Sequence, residues 1–110
     1  FLWSSMPDDE LFDLARAGKL KEESVLRAQI HRLIADPKFE SFVTNFAGQW
    51  LQLRNLDVRT PDKDAFPSFS DDLRQAMRRE TELVFANAIR ENQNAVDLLT
   101  GESTFVNELL

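Results

Sequence analysis

A carboxylate on the apolar face of the longest predicted helix is the strongest candidate for chemistry in this chain of 110 residues. At helical spacing, Glu80 falls in line with Met77 and Val84, and about 20° from Leu73. A carboxylate that faces a core is either paired with a cation or has a raised pKa. Glu80 is therefore a candidate general acid or base. The alternative is a structural ion pair with one of the nearby arginines, Arg54, Arg74 or Arg78.

The single histidine, His31, is the second candidate. It lies one residue beyond Ile30 in a predicted helix, about 100° round from the centre of an apolar stripe. An imidazole in that position could act as a general base or as an axial ligand to the haem of a neighbouring domain. The alternative is a histidine at the boundary between core and solvent, with no chemical role.

Two tryptophans and three aspartates suggest binding sites of other kinds. Exposed rings of Trp3 or Trp50 could stack on sugars, but the helical spacing favours a core position for Trp50. Trp3 is expected to pack on material outside this sequence. Asp57, Asp62 and Asp64 suggest calcium, but the spacing, the glycine and the terminal glutamate of an EF-hand loop are missing. No metal site is therefore predicted.

The composition disfavours several classes of protein. Lys and Arg number 13 against 19 Asp and Glu, and the net charge of −6 disfavours a nucleic-acid partner. Without cysteine there is no disulfide, thiolate metal site, cysteine nucleophile or covalently attached haem. No apolar run approaches the roughly 20 residues that span a bilayer. The sequence therefore predicts no cofactor, no nucleic-acid partner and no membrane span.

The residue types favour an all-α fold. Gly and Pro are few, and Leu plus Ala greatly outnumber the β-branched residues that are restricted in helices. Nine Phe and two Trp would supply much of the core. We predict a single domain over residues 1–110, a compact orthogonal bundle of about four main helices with short C-terminal turns. The large apolar residues at both ends indicate a fragment that is truncated at each end.

The first two helices are predicted at about residues 7–17 and 22–35. Ser5 is the expected N-cap of the first, with Pro7 in its first turn and Gly18 after its C-terminus. The neighbouring Asp8 and Asp9 complement the helix dipole, which explains them without a catalytic role. The second helix should bury an apolar stripe formed by Leu26, Ile30, Leu33 and Ile34.

A third helix is predicted from Pro37, its first residue, to about Leu53, after a break at which Asp36 is the N-cap. Gly48 within it suggests that another helix passes close by. Phe46→Ala should cost about 3–5 kcal/mol if the ring is buried. The core-facing residues at helical spacing are Phe39, Phe42, Val43, Phe46, Trp50 and Leu53.

The second half of the chain is predicted to hold a packed loop and one long helix. The loop covers about residues 55–69 and should be pinned by four hydrophobic anchors, Leu56, Val58, Phe66 and Phe69. Ser70 should cap the long helix, at about residues 71–92. Short segments follow at 95–99 and, capped by Ser103, towards the C-terminus. The core stripe of the long helix is expected to be Leu73, Met77, Val84 and Ala88.

Four motifs, in this order, resemble one known family: FLWSSMPDDEL, NFAGQWLQLRNL, FPSFSDDLRQAMRRETELVF and STFVNELL. The chain resembles the fourth domain of the planctomycete PSD series, a domain of unknown function. The resemblance implies a large exported protein of the periplasm or cell envelope, in which a cytochrome-c-like domain is a neighbour. It implies no catalytic residues. Haem binding does not carry over, because the Cys-x-x-Cys-His motif is absent.

We therefore expect a non-catalytic helical scaffold or interaction module whose partners are neighbouring domains of its parent chain. The rival interpretation is part of a hydrolytic or redox-linked enzyme, acting on envelope or polysaccharide substrates, whose active site is completed by other domains. A pure ligand-binding module is the third. An enzyme would need polar groups that converge in a pocket, and the sequence offers Glu80, His31 and the 55–69 loop for this.

Overall fold

The structure is a computed structural model that describes residues 1–110, and it contains helices and no strand. The all-α prediction is therefore confirmed. The chain divides into two compact units, Phe1–Phe42 and Val43–Leu110, and the single domain over residues 1–110 stays a prediction. No helix combines the length and the apolar character that crossing a membrane requires.

The first unit contains α1 (Asp9–Arg16), α2 (Glu23–Ala35) and the short α3 (Glu40–Phe42). Single 3₁₀ turns precede α2 and α3, at Lys19–Lys21 and Pro37–Phe39. Asp36 caps the second of these turns as predicted, because its side chain accepts a hydrogen bond from the Lys38 amide at 2.8 Å.

The start of α1 differs from the prediction, whereas its end agrees. Asp8 is the N-cap, since its carboxylate accepts from the Leu11 amide at 3.1 Å, so Ser5 is not the cap. Gly18 has φ of 68°, and its amide donates to the Ala15 carbonyl at 3.0 Å. A left-handed residue after the helix favours glycine, which is the reason that this boundary was predictable.

Aromatic rings form the core of the first unit. Trp3, Phe39 and Phe42 are buried, and the rings of Phe39 and Phe42 stack with centroids 5.4 Å apart. The Trp3 indole N–H donates to the Leu33 carbonyl at 2.9 Å. Trp3 therefore packs within this unit, and the expectation that it packs on material outside the sequence is wrong. A buried tryptophan needs an acceptor for its N–H, and the last turns of α2 supply one.

The predicted apolar stripe of α2 is wrong at two positions. Leu26 and Ile30 are 45% and 40% exposed, whereas Gln29 is buried. The Gln29 amide donates to a Glu10 carboxylate oxygen at 2.7 Å and accepts from Arg32 at 2.9 Å. Because both ends of the amide have partners, burial of this polar side chain carries little cost.

The second unit begins with a π-helical turn at Val43–Ala47, followed by α4 (Gly48–Trp50) and α5 (Asn55–Val58). The long α6 (Asp71–Arg90) and the short α7 (Asp97–Thr100) complete it. The helix predicted at about residues 37–53 is thus not one regular α-helix. Hydrogen bonds from i to i+5 widen a π turn and shift the side chains that follow it around the axis.

That shift exposes two aromatic residues that the α-helical spacing placed in the core. Phe46 is 41% exposed and Trp50 is 58% exposed, while Val43, Ala47 and Leu53 are buried. The predictions of a core Trp50 and a fully buried Phe46 are therefore wrong.

Gly48 does not mark a close approach of another helix, as the sequence suggested. A Cβ built at this position would meet no heavy atom within 4 Å. Its place in the helix therefore has no steric explanation in the structure.

The ends of α6 are fixed by side-chain and backbone caps. Ser70 is the N-cap as predicted, because its hydroxyl accepts from the Leu73 amide at 3.1 Å. At the other end Asn92 has φ of 50°, and the Gln93 amide donates to the Ala88 carbonyl at 2.8 Å. This is a Schellman motif with asparagine in the left-handed position. The final helical turn predicted from Ser103 is absent, since residues 101–110 contain no helix.

Candidate functional site

Three arginines of α6 lie close together in the second unit. Arg74 and Arg78 are four residues apart and share one face of the helix, with Arg79 beside them. They border an open cleft of about 540 Å³. The full lining is Asp57, Asp71, Arg74, Gln75, Arg78, Arg79 and Glu82.

Arg74 holds α5 and the start of the chain that follows it. Its Nη1 donates to the carbonyls of Leu56 and Arg59, the second at 2.7 Å. The guanidinium also lies over the Phe69 ring, 5.0 Å from its centroid, and its Nε contacts Asp71 at 3.3 Å. One side chain, 15% exposed, thus joins α6 to both ends of the 59–69 loop.

Arg78 makes a second link to the same segment. Its Nη2 donates to the Asp57 carboxylate at 2.6 Å and to the Leu53 carbonyl at 3.4 Å. This hydrogen bond with Arg78 lowers the pKa of Asp57, against an opposing effect of desolvation. The carboxylate therefore stays charged and bound to the helix at neutral pH.

These arginine contacts replace part of the hydrophobic anchoring that the sequence predicted for the loop. Leu56 and Phe69 are half-buried, as anchors would be. Val58 and Phe66 are 77% and 60% exposed, so they are not anchors. Carbonyl groups of a loop have no periodic sequence pattern, and hydrogen bonds to them could not be found from spacing.

Glu82 is the buried carboxylate of α6, and the sequence analysis missed it. Only 8% of the residue is exposed, and its nearest cationic partner is Arg79 Nη1 at 3.5 Å. It borders both the cleft and a smaller cavity of about 90 Å³ on the side of Arg54. Its spacing from Arg78 and Arg79 was a usable signal, since residues three and four apart on a helix are neighbours.

Glu80, the predicted candidate, lies elsewhere on the helix. It is half-buried and accepts a hydrogen bond from the Thr104 hydroxyl at 2.6 Å. Arg74 and Arg78 bind the loop instead, so the ion pair predicted for Glu80 does not form. The predicted face was centred on Leu73, whereas the most buried large side chain of α6 is Phe85.

His31 is exposed on α2, in the first unit, whereas Glu80 belongs to the second. No contact in the structure assigns a chemical role to either residue, and catalytic roles for both stay untested.

Three of the aspartates that suggested calcium or catalysis, Asp8, Asp57 and Asp62, have structural partners. Asp57 binds Arg78, and Asp62 accepts from the Asp64 amide at 2.8 Å. Asp8 caps α1 and pairs with Arg32 at 2.7 Å, a contact that lowers the Asp8 pKa and raises that of Arg32. No group of three or more His, Cys, Asp or Glu side chains is arranged to hold a metal ion.

The cleft therefore has balanced charge, with three arginines facing Asp57, Asp71 and Glu82. The contacts of Arg74 and Arg78 run to backbone carbonyls and carboxylates of the same unit. In chemical terms this arrangement fixes a loop on a helix. The cleft contains no serine, threonine, cysteine or histidine that could serve as a nucleophile.

Comparison with known proteins identifies a family. No curated protein and no solved structure matches the chain. A family model described as "PSD4: Protein of unknown function (DUF1592)" matches residues 1–110. The match covers the whole sequence, including all four motifs that carried the resemblance, and the chain therefore belongs to the PSD4 (DUF1592) family of proteins of unknown function.

Proposed function

We propose that this chain is a non-catalytic helical scaffold and interaction module within a larger exported multidomain protein. Its partners are neighbouring domains of the same polypeptide, a cytochrome-c-like domain among them. Its location is the periplasm or the cell envelope. The multidomain and envelope context rests on the motif resemblance, and the scaffold role rests on how the charged side chains are used.

One observation carries the non-catalytic role: the arginines of the cleft bind the protein's own loop. Arg74 donates to two loop carbonyls, and Arg78 binds Asp57 at 2.6 Å. A catalytic or ligand-binding arginine needs donors directed at the position of its ligand. Here the shortest contacts hold the 53–59 segment in place, which supports a structural use of the cleft.

Exposed apolar side chains support the interaction role. Phe46 and Trp50 of the second unit are 41% and 58% exposed, and their ring centroids are 6.0 Å apart. Adjacent exposed aromatic side chains are typical of a surface that contacts another protein or domain. This supports a module that is covered in part by its neighbours.

An enzyme whose active site is completed by other domains is the second candidate, and Glu82 favours it. A carboxylate that is 8% exposed and borders an open cleft is a recognised position for a general acid or base. A hydrolytic or redox-linked reaction on envelope or polysaccharide substrates would then use groups from neighbouring domains.

Genetic complementation with the full-length protein separates the two. Glu82→Gln, Glu80→Gln and His31→Ala would be introduced one at a time into the protein that rescues a deletion strain. If the chain is a scaffold, the extent of rescue by each variant should depend only on the amount of folded protein. Thermal unfolding and abundance in the cell measure that amount. A variant with wild-type thermal stability and abundance but no rescue would overturn the scaffold role and indicate catalysis at that residue.

A further inference from the structure

The segment Val43–Leu53 combines exposed aromatic side chains with a complete absence of charge. Its eleven residues include no Asp, Glu, Lys or Arg, in a chain in which 29% of the residues are charged. Trp50 is 58% exposed, and both Phe46 and Leu51 are 41% exposed. We call these three side chains the Trp50 surface.

The Trp50 surface is supported from beneath by a second helix. The Trp50 ring lies 6.0 Å from the Phe46 ring and 6.2 Å from the buried Phe85 ring of α6. Phe46 also contacts Phe85, with ring centroids 5.9 Å apart. Three mutually packed rings hold the exposed indole in position before any partner arrives. Such preorganised aromatic anchors are typical of the energetic centres of protein interfaces.

The absence of charge indicates the chemistry of the partner. A carboxylate placed against an uncharged aromatic surface would lose water without gaining a counter-charge, and a cation would gain only the small attraction of a ring face. Interface cores are accordingly depleted in charged residues and enriched in Trp and Phe. Phe46 and Trp50 lie one helical turn apart and form a ridge, which fits the groove between side chains of another helix.

The size of the surface indicates how the partner is held. From a full area of about 150–250 Å² for each aromatic side chain, the exposed parts of Phe46 and Trp50 sum to roughly 150–250 Å². A stable complex of separate chains buries about 800 Å² on each partner. A second copy of the chain would therefore bind weakly through this surface alone. A tethered partner meets it at millimolar effective concentration, so a small area is enough.

We propose that the Trp50 surface docks an uncharged apolar helix face of a neighbouring domain in the same polypeptide. The proposal rests on the interaction role proposed above and names the partner of one surface of that module. The partner's helix face has a groove that receives the Phe46–Trp50 ridge, and it carries no charge at the contact.

Photo-crosslinking in the full-length protein tests the proposal. A benzophenone amino acid replaces Trp50 in one preparation and Val58, which is 77% exposed and outside the uncharged segment, in the control. We expect position 50 to crosslink, at several times the yield of position 58, to an uncharged apolar segment of the same polypeptide outside residues 1–110. Peptide mapping by mass spectrometry identifies that segment, and a mixture of two isotope-labelled preparations separates contacts within one chain from contacts between copies.

Two substitutions at Phe46 sharpen the test. Phe46→Lys places a charge in the docked surface and should lower the crosslinking yield from position 50 about tenfold or more, whereas Phe46→Leu should leave it within about twofold. Circular dichroism and thermal unfolding establish that both variants are folded before they are compared.

Three outcomes would overturn the inference. They are crosslinks between two copies, crosslinks to a different polypeptide, and a yield at position 50 no higher than at position 58. Each leaves the scaffold role to be decided separately, because that role is tested by the relation between folded protein and genetic rescue.

Discussion

The tryptophans of the two compact units differ in their burial. Trp3 in the first unit is 7% exposed, and Trp50 in the second is 58% exposed. The Trp3 indole donates to the Leu33 carbonyl and lies under Lys38 Nζ at 4.6 Å, while the Trp50 ring packs against Phe46 and Phe85. The difference teaches that burial of an indole depends on an acceptor for its N–H as well as on apolar neighbours.

The units also differ in what their arginines bind. In the first, Arg32 pairs with Asp8, the N-cap of a neighbouring helix, at 2.7 Å. In the second, Arg74 donates to loop carbonyls, and Arg78 combines a carbonyl with Asp57. The first unit is thus held by an ion pair between the start of one helix and another helix, whereas the second combines an ion pair from α6 to α5 with hydrogen bonds from α6 to backbone carbonyls.

The largest effect is expected at the buried tryptophan. Trp3→Ala should lower the free energy of unfolding by about 3–5 kcal/mol, because it removes a buried ring and leaves the Leu33 carbonyl without its donor. Trp3→Phe, which keeps a ring and loses only the N–H, should cost clearly less. Chemical denaturation of both variants measures the two values. Equal costs would show that ring packing contributes little to the burial of Trp3.

The second effect is expected at the arginine that holds the loop. Arg74→Ala should cost about 2–3 kcal/mol, since two carbonyls lose a charged donor and the Phe69 ring loses the guanidinium above it. Arg74→Lys should recover part of this stability, because a lysine can donate to one carbonyl but cannot reproduce the planar geometry. Thermal unfolding compares the two variants, and a full recovery by lysine would contradict the geometric role.

The third effect is a dependence on pH that both units share. The pKa values of Asp8 and Asp57 are lowered in the folded state by Arg32 and Arg78. Their stabilising contribution is therefore fully present above the unfolded value, about 3.9, and is lost as the pH falls through the lower folded values.

A double-mutant comparison assigns that dependence to the pairs. Asp57→Asn should flatten the fall of unfolding free energy between about pH 5 and pH 2, and it should change nothing further in an Arg78→Gln background. The same design applies to Asp8 and Arg32. Urea denaturation across this pH range measures the slopes. An unchanged slope in Asp57→Asn would show that the pair does not contribute to acid sensitivity.

The smallest effect on folding is expected at the exposed tryptophan. Trp50→Ala should cost about 1 kcal/mol, because more than half of the ring already contacts solvent. Phe46→Ala, for which the sequence analysis predicted about 3–5 kcal/mol, should likewise fall below that range. Chemical denaturation is again the measurement, and a cost at Trp50 comparable with that at Trp3 would show that both rings belong to the core.

Local signals in the sequence predicted the helix boundaries well. Ser70, Asp36 and Gly18 occupy the capping positions assigned to them, because capping depends on the residue type and on neighbours within three positions. The N-cap of α1 was predicted wrongly. Two side-chain acceptors, Ser5 and Asp8, precede the same helix, and the sequence does not distinguish between them.

The faces of the helices were predicted poorly, and the candidate site with them. The π turn at Val43–Ala47 moves the side chains of Phe46 and Trp50 away from the core face, and no residue type predicts such a turn. Gln29 is buried because its amide binds Glu10, which is distant in sequence. Glu82 is buried on a face of α6 that the apolar periodicity did not predict as the core. The sequence indicated Arg74 only as a partner of Glu80. Its acceptors in the structure are backbone carbonyls, and because every residue has one, no sequence pattern predicts which of them Arg74 binds.

Native-state hydrogen exchange of Arg74→Ala in the full-length protein, measured beside genetic rescue, tests most directly whether the cleft serves the fold. The amides of Phe66 and Phe69 donate within the loop, to the carbonyls of Asp62 and Phe66. The account predicts that these amides lose protection in the variant, that the middle of α6 keeps it, and that rescue falls with the loss of folded protein. Unchanged protection in the loop together with a loss of rescue would contradict the account and make the cleft a functional site.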